Sequence, residues 1–217
     1  LLRNANNVSF EDWQNLAYDT TLYWPMTELP KYAQLFEQLK NTDPVLAARV
    51  EPYLKHILDW DYKSTLDSTQ ATLAVEWYEA LYGRGYPVET LKPEFVASIP
   101  RRFEALEGAA GTLQALFGTW QVPYGDIHRL QRHPNQPTLA TVPVSDDLPS
   151  IGHAGVRGPL GVAFTVYDTP STPERKKRYA GVGASYMGVY EFGKKVKSGS
   201  YLHFGQSGDP NSPHYFD

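Results

Sequence analysis

The chain has 217 residues, of which 41% are hydrophobic and 20% charged, a composition typical of a folded protein and not of a disordered one. Its formal net charge of −4 excludes the general positive field that holds nucleic acids or anionic membranes. It contains no cysteine, which excludes disulfides, a thiolate nucleophile and a cysteine-ligated zinc site. No apolar run approaches the ~20 residues of a membrane-spanning helix.

Residues 1–118 show helical periodicity. Ser9 precedes the first apolar stripe and has an acid three residues later, which is typical of a capping box. Pro52 lies inside the third helical pattern, and we expect it to kink or split that helix because proline lacks the amide donor. The predicted helices cover about 10–24, a segment opening at Pro30, a segment opening at Pro44, a segment from Ser68 to Gly83, and about 100–117.

After Trp120 the pattern changes to short apolar segments separated by glycine and proline. Alternation predicts strands over 162–167, 183–192 and 196–204, with a turn at Gly193–Lys195 and a charged loop over 168–178. Helices followed by antiparallel strands indicate an α+β protein with a mainly helical region (1–118) and an antiparallel β region (119–217). The basic run 174–178 is predicted to be a solvated loop.

One carboxylate interrupts the predicted strand 183–192. Glu191 follows Ser185, Met187 and Val189 on one face, and the opposite face is also largely apolar. We therefore expect this strand to be covered on both sides. A carboxylate in such a place needs either a counter-charge and hydrogen bonds or a functional role.

The histidines and the paired carboxylates indicate no particular chemistry as clearly. The spacing of the six histidines matches no standard metal motif, so the prediction is that no metal is bound. The carboxylate pairs Asp59/Asp61 and Glu76/Glu79 are of the type that glycosidases use, but helix-surface and capping roles are the better interpretation. No phosphate-binding or dinucleotide-binding loop is present in the sequence.

Two segments carry a resemblance to a known family. They are Trp120–Leu130, with Gly125-Asp126-Ile127-His128-Arg129 at its centre, and the closing run Gly205–Asp217. Together with Asp59-Trp60-Asp61 and Leu66-Asp67-Ser68, they resemble the large subunit of the penicillin, cephalosporin and acyl-homoserine-lactone acylases, which are N-terminal-nucleophile hydrolases.

The resemblance implies part of an αββα sandwich from a precursor that is cut into two subunits. It also implies hydrolysis of the amide bond of an N-acyl substrate, either a β-lactam or an acyl-homoserine lactone, by an N-terminal serine that this chain does not contain. We expect this C-terminal fragment of the large subunit to be inactive alone. Its expected partners are the rest of the large subunit and the small subunit, with no cofactor, no nucleic acid and no membrane span, in a periplasmic or secreted protein.

In the cephalosporin-acylase-like branch of this family a glutamate on the corresponding hairpin holds a histidine near the nucleophile, and Glu191 in Val189-Tyr190-Glu191-Phe192 matches that position. The resemblance therefore implies that Glu191 orients a histidine outside this chain. The alternative is a buried glutamate bonded to backbone amides. Asn4, Asn6 and Asn7 are candidates for oxyanion donors, but the match around them is too weak to transfer that role. The following residues are interpreted as structural, bonding to backbone in turns: Asp126, His128, His214 and Asp217.

A different class of function is a carbohydrate-binding module. Its aromatic platform would be formed by Tyr186, Tyr190, Tyr201 and Trp120. The apolar character of both strand faces argues against this alternative, because a platform exposes its aromatic residues beside polar neighbours.

Overall fold

The computed structural model describes residues 6–84, 91–131, 144–161, 164–184, 186–202, 207, 209 and 211–215. Seven helices occur in these ranges: α1 (Phe10–Ala17), α2 (Tyr23–Thr42), α3 (Pro44–Leu58), α4 (Thr69–Tyr82), α5 (Pro93–Val96), α6 (Ile99–Phe117) and α7 (Tyr124–Ile127). The strands are β1 (His128–Leu130), β2 (Ile151–Gly152), β3 (Val166–Asp168), β4 (Arg178–Gly183), β5 (Tyr186–Glu191) and β6 (Lys197–Leu202). The α+β prediction, with a helical first half, is confirmed.

The first helix is shorter than its pattern predicts. Ser9 and Asp12 form the expected capping box, but α1 ends at Ala17 and not near residue 24. Asp19 then accepts hydrogen bonds from both the amide and the hydroxyl of Thr21. Leu22 donates its amide to the carbonyl of Tyr62. These bonds hold residues 19–22 outside any helix. The helical spacing of apolar residues therefore extends past the point where α1 ends, and it predicted too long a helix.

Two prolines lie inside helices that continue past them. Helix α2 starts seven residues before Pro30, and α3 runs unbroken through Pro52. The predictions that Pro30 opens a helix and that Pro52 splits one were therefore wrong as to the boundaries. The apolar stripes on both sides of each proline, including Leu29, Phe36, Val50 and Leu54, are fully packed in the core. Tertiary packing thus offsets the lost backbone hydrogen bonds.

The ends of α4 and α6 agree with the sequence. Ser68 accepts a hydrogen bond from the amide of Ala71 at the start of α4, and Gly83 follows its end with a φ of 88°. Gly118 ends α6 in the left-handed conformation, with a φ of 79°. Glycine adopts positive φ without the steric penalty that a Cβ imposes, which explains both stops.

The strands form two separate sheets in the described residues. The first has four strands in the order β2-β1-β4-β3, in which β1 and β4 run parallel and the outer pairs are antiparallel. Strand β4 begins at Arg178, inside the segment that was predicted to be a loop. The second sheet is the predicted hairpin, β5 with β6. The αββα sandwich remains an expectation from the resemblance.

In the described residues, one hydrophobic core joins the helices to the segments that flank the first sheet. It contains the inner faces of α2, α3, α4 and α6 together with Val122, Tyr124, Ile127, Val156 and Leu160. Trp77 lies at its centre, fully buried, and its indole donates to the carbonyl of Arg102. None of the helices in the described ranges is long and apolar enough to cross a membrane.

Candidate functional site

Glu191 lies at the exposed end of the hairpin. It pairs with Lys197 across the two strands, and the lysine Nζ is 3.3 Å from Glu191 Oε2. Its side chain is 48% exposed. The expectation that this strand is covered on both faces was wrong: Val189 is buried on the side toward α1, but Tyr186 and Tyr190 are about half exposed. Whether Glu191 orients a histidine remains a prediction.

A cluster of buried charges lies where α4 meets the first sheet. We call it the ion cluster, and its members are Glu76, Glu79, Arg84, His128, Arg157, Asp168 and Arg178. Its three carboxylates and three guanidinium groups balance formally, which is what burial of so many charges requires.

Arg178 and Glu79 are at the centre of the ion cluster. Arg178 Nη1 donates to Glu79 Oε2 over 3.0 Å, and Arg178 Nη2 pairs with Glu76. Arg84 pairs with the same Glu79 oxygen and also donates to Asp168 Oδ1 over 2.9 Å. Arg178 and Glu79 are 5% and 6% exposed. The two acids were predicted to be on a helix surface and Arg178 in a solvated loop; both predictions were wrong.

The sequence contained a signal for the buried acids. Glu76 and Glu79 are the only charged residues of α4, and eight of the other twelve residues of that helix are buried. A helix buried around most of its circumference has no solvated face for its acids. Its two carboxylates therefore required cations from elsewhere in the chain, although α4 itself does not identify them.

Burial and pairing act in opposite directions on these groups. Burial raises the pKa of Glu76, although Arg178 opposes this effect. For Asp168, burial also favours the neutral acid, but His128, Arg178 and Arg84 together hold its pKa below the ordinary value. Asp168 is thus held as a carboxylate in a site from which solvent is nearly excluded.

His128 is buried between an aromatic ring and a carboxylate. Its Nδ1 lies 2.5 Å from Asp168 Oδ2, and its ring stacks on Tyr124 with 3.8 Å between centroids. His153 follows β2, and its amide donates to the carbonyl of His128. His128 was predicted to bond to backbone in a turn, whereas its side chain binds a carboxylate. A search for motif spacing could not detect that His128, His153 and Asp168 lie together, because 25 residues separate the first two in the sequence and 15 the last two.

The remaining predicted structural residues are at the surface or outside the described ranges. Asp126 is exposed in α7, and the amide of His214 donates to the hydroxyl of Ser212. Asn6 and Asn7 are exposed, and Asn4 and Asp217 lie outside the described residues. Asp59 caps the end of α3, and Asp61 accepts from the amide of Lys63, as the capping interpretation predicted.

Two clefts border these groups. The larger, about 750 Å³, has Glu76, Glu79, Arg84 and Arg178 at one end and an apolar wall from α6 that includes Leu113. The smaller, about 480 Å³, lies between α1, the hairpin and the loop after β2. His153 lines the smaller cleft together with apolar residues that include Tyr18, Phe164, Met187 and Tyr201.

The four aromatic residues of the proposed carbohydrate platform do not share one surface. Tyr186 and Tyr190 lie on the outer face of β5, and their hydroxyls are hydrogen-bonded to each other. Tyr201 is opposite Met187 and packs edge-on against Tyr18. Trp120 packs against Tyr53 and His56 in the helical region. The structure therefore does not support a common aromatic platform.

Comparison with known proteins extends over the whole chain. The family model described as penicillin amidase matches residues 1–217. No curated protein gives a significant match. The match includes the two segments on which the resemblance depended as well as the helices and strands between them. A match of this length shows that the chain belongs to the penicillin amidase family, a family of N-terminal-nucleophile hydrolases.

Proposed function

We propose that this chain is the C-terminal part of the large subunit of an acylase that hydrolyses the amide bond of an N-acyl substrate. The observation that carries the proposal is the family match along all 217 residues. A β-lactam antibiotic and an acyl-homoserine lactone are the two substrate classes to be tested. The rest of the large subunit and the small subunit complete the enzyme, in the periplasm or outside the cell.

The proposed nucleophile is an N-terminal serine supplied by another part of the protein. Its free α-amine takes the proton from its own hydroxyl, and the oxygen attacks the substrate carbonyl. Hydrogen-bond donors stabilise the resulting oxyanion. The amine product leaves, and water then hydrolyses the acyl-enzyme to release the acid.

In this proposal the hairpin places Glu191 beside the reacting groups without making it the nucleophile. Glu191 accepts a hydrogen bond from a histidine of the completed enzyme and fixes its tautomer and orientation, as the acid of a catalytic triad does. Its position supports this role, because the carboxylate is half exposed and only its contact with Lys197 must be exchanged.

The activity is tested by incubating the intact enzyme with a penicillin and with an acyl-homoserine lactone and measuring the free amine released. We expect one of the two to be hydrolysed. Release of amine from neither substrate class would contradict the proposed function.

The role of Glu191 is tested by Glu191→Gln in the intact enzyme. We expect kcat to fall at least about tenfold and the pH dependence of kcat to shift, because the histidine loses its anionic partner. Lys197→Met is the matched control, since it breaks the same cross-strand pair from the other side. Equal losses in both variants would show that only the pairing within the hairpin matters, and would refute the orienting role.

A further inference from the structure

Three side chains of types that can bind a metal ion meet between the first sheet and the smaller cleft. His128 is the first residue of β1, His153 follows β2, and Asp168 ends β3. One donor atom of each lies within 4.8 Å of the donor atoms of the other two. All three are nearly inaccessible to solvent, at 5% exposure or less.

The type of donor fits a particular class of ion. Two imidazole nitrogens and one carboxylate oxygen match the ligands of zinc sites, whereas calcium and magnesium prefer oxygen alone. Zinc bonds of ~2.0–2.2 Å place tetrahedral donors roughly 3.3 Å apart. Donor atoms that lie up to 4.8 Å apart therefore need to approach by about 1.5 Å, whereas His128 Nδ1 and Asp168 Oδ2, at 2.5 Å, need to separate by about 0.8 Å. Both changes are within the reach of side-chain rotation.

His128 has the binding capacity that such a site needs. Its Nδ1 faces Asp168 Oδ2 at 2.5 Å, and its Nε2 is buried with no hydrogen-bond partner among the described residues. Arg84 holds the other oxygen of Asp168, and Tyr124 stacks on the imidazole. The carboxylate and the ring are therefore already oriented before any ion arrives, as the outer contacts of metal ligands usually ensure.

The surrounding charges can accommodate a divalent ion. The carboxylates of Glu76, Glu79 and Asp168 balance the guanidinium groups of Arg84, Arg157 and Arg178. Binding requires deprotonated donors, so Asp168 must be a carboxylate and His128 must present the lone pair of a ring nitrogen to the ion. Because these side chains already balance one another, the ion adds two positive charges, of which a hydroxide or another monovalent anion in the fourth coordination position neutralises one.

The smaller cleft gives a route to the site. His153 lines this cleft of about 480 Å³, in a wall that also includes Gln14 of α1, Met187 of β5 and Tyr201 of β6. A site with three protein donors and one position open to a cleft is the arrangement that binds water or a small anion as the fourth ligand.

We propose that His128, His153 and Asp168 form a binding site for one zinc-class divalent ion, with its fourth coordination position toward the smaller cleft. This inference does not depend on the acylase proposal, because binding is measured without any substrate.

The experiment is a titration of the chelator-treated protein with zinc chloride by calorimetry, together with its cobalt(II) absorption spectrum. We expect one ion per chain, a visible spectrum typical of tetrahedral cobalt, and affinity that falls as pH decreases because protons compete for the donors. His153→Gln and Asp168→Asn should each weaken binding about tenfold or more.

His56→Gln is the matched control. His56 is partly buried and hydrogen-bonded to Thr69, away from the three donors, so its variant should bind as the unchanged protein does. Far-UV circular dichroism establishes that each variant is folded, and the cobalt spectrum of the unchanged protein gives an answer even if a variant does not fold. Absence of stoichiometric binding, or equal affinity in His153→Gln and His56→Gln, would overturn the proposal.

Discussion

At the scale of single residues, the central feature is the difference between buried and exposed ion pairs. Arg178 contacts Glu76 and Glu79 in a nearly dry site, whereas Arg49 contacts Glu107 at the surface, with 51% and 35% of their side chains exposed. The first pair has lost its hydration and depends on its partners, while the second remains hydrated. Similar interatomic distances therefore correspond to different energies.

Arg178→Met should lower the free energy of unfolding by about 3–5 kcal/mol, because it removes the cation that pairs with buried Glu76 and one of the cations that contact buried Glu79. Arg49→Met removes a pair of similar geometry and should cost at most about 1 kcal/mol. Urea unfolding at pH 7 measures both.

If Arg178→Met and Arg49→Met are equally stable, the buried ion cluster contributes no more to the free energy of unfolding than an exposed ion pair does. The double variant Arg178→Met with Glu76→Gln provides a second comparison, since removing the partner charge should recover part of the loss.

At the scale of elements, helix α6 contains one glycine in the right-handed helical conformation and ends at another in the left-handed conformation. Gly111 lies inside α6 and Gly118 ends it with a φ of 79°. A Cβ added at either position would meet no atom within 4 Å. Conformation alone therefore decides the effect of adding a methyl group, because neither packing nor a clash contributes.

Gly111→Ala should raise the free energy of unfolding by about 0.5–1 kcal/mol, since alanine is the better helix former. Gly118→Ala should lower it by roughly 1–2 kcal/mol, since a Cβ disfavours the left-handed conformation. Thermal unfolding of both variants and of the unchanged protein measures whether the two changes in the free energy of unfolding have opposite signs. Two changes of the same sign would contradict the assignment of the helix end.

Local sequence rules predicted these element ends well. Ser9, Ser68, Gly83 and Gly118 act through neighbours within four residues, so their roles are readable from the sequence. The hairpin with its turn at residues 193–195 was likewise predicted, because alternation and a turn signal are local.

The ion cluster could not be predicted in the same way. Arg178 is 99 residues from Glu79, and Asp168 is 40 residues from His128. Arg178 is the last residue of the basic run 174–178. The structure leaves the other four residues of that run exposed or partly exposed and buries only Arg178. Which member of such a run becomes buried depends on how β4 packs against α4, and that packing is a property of the whole fold.

At the scale of the whole molecule, burial is unevenly distributed. Helix α4 is enclosed by the core, whereas the β5–β6 hairpin forms a two-stranded sheet that contacts mainly α1 and exposes Tyr186, Tyr190 and Phe192. Two-stranded sheets gain little from their own pairing and depend on what covers them. We therefore expect local stability to differ strongly between these two parts.

Hydrogen exchange should reveal this difference. In the isolated chain, the amides of β5 and β6 should exchange through local opening, much faster than those of α4, which should exchange only on global unfolding. In the complete enzyme the proposed partner segments should slow exchange in the hairpin. Equal protection of the hairpin and α4 in the isolated monomeric chain would contradict this expectation.

The buried charges also have a consequence for the alignment of the sheet. Strands β1 and β4 are paired through only two residue pairs, His128 with Arg178 and Arg129 with Tyr179. So short a ladder tolerates slippage, yet a shift by one residue would turn Arg178 to the opposite face. Glu76 would then be buried without its cation, and Glu79 would lose one of the cations that contact it. The misaligned sheet thus carries a penalty that hydrophobic contacts alone would not impose, so that the cluster selects the correct register as the chain folds.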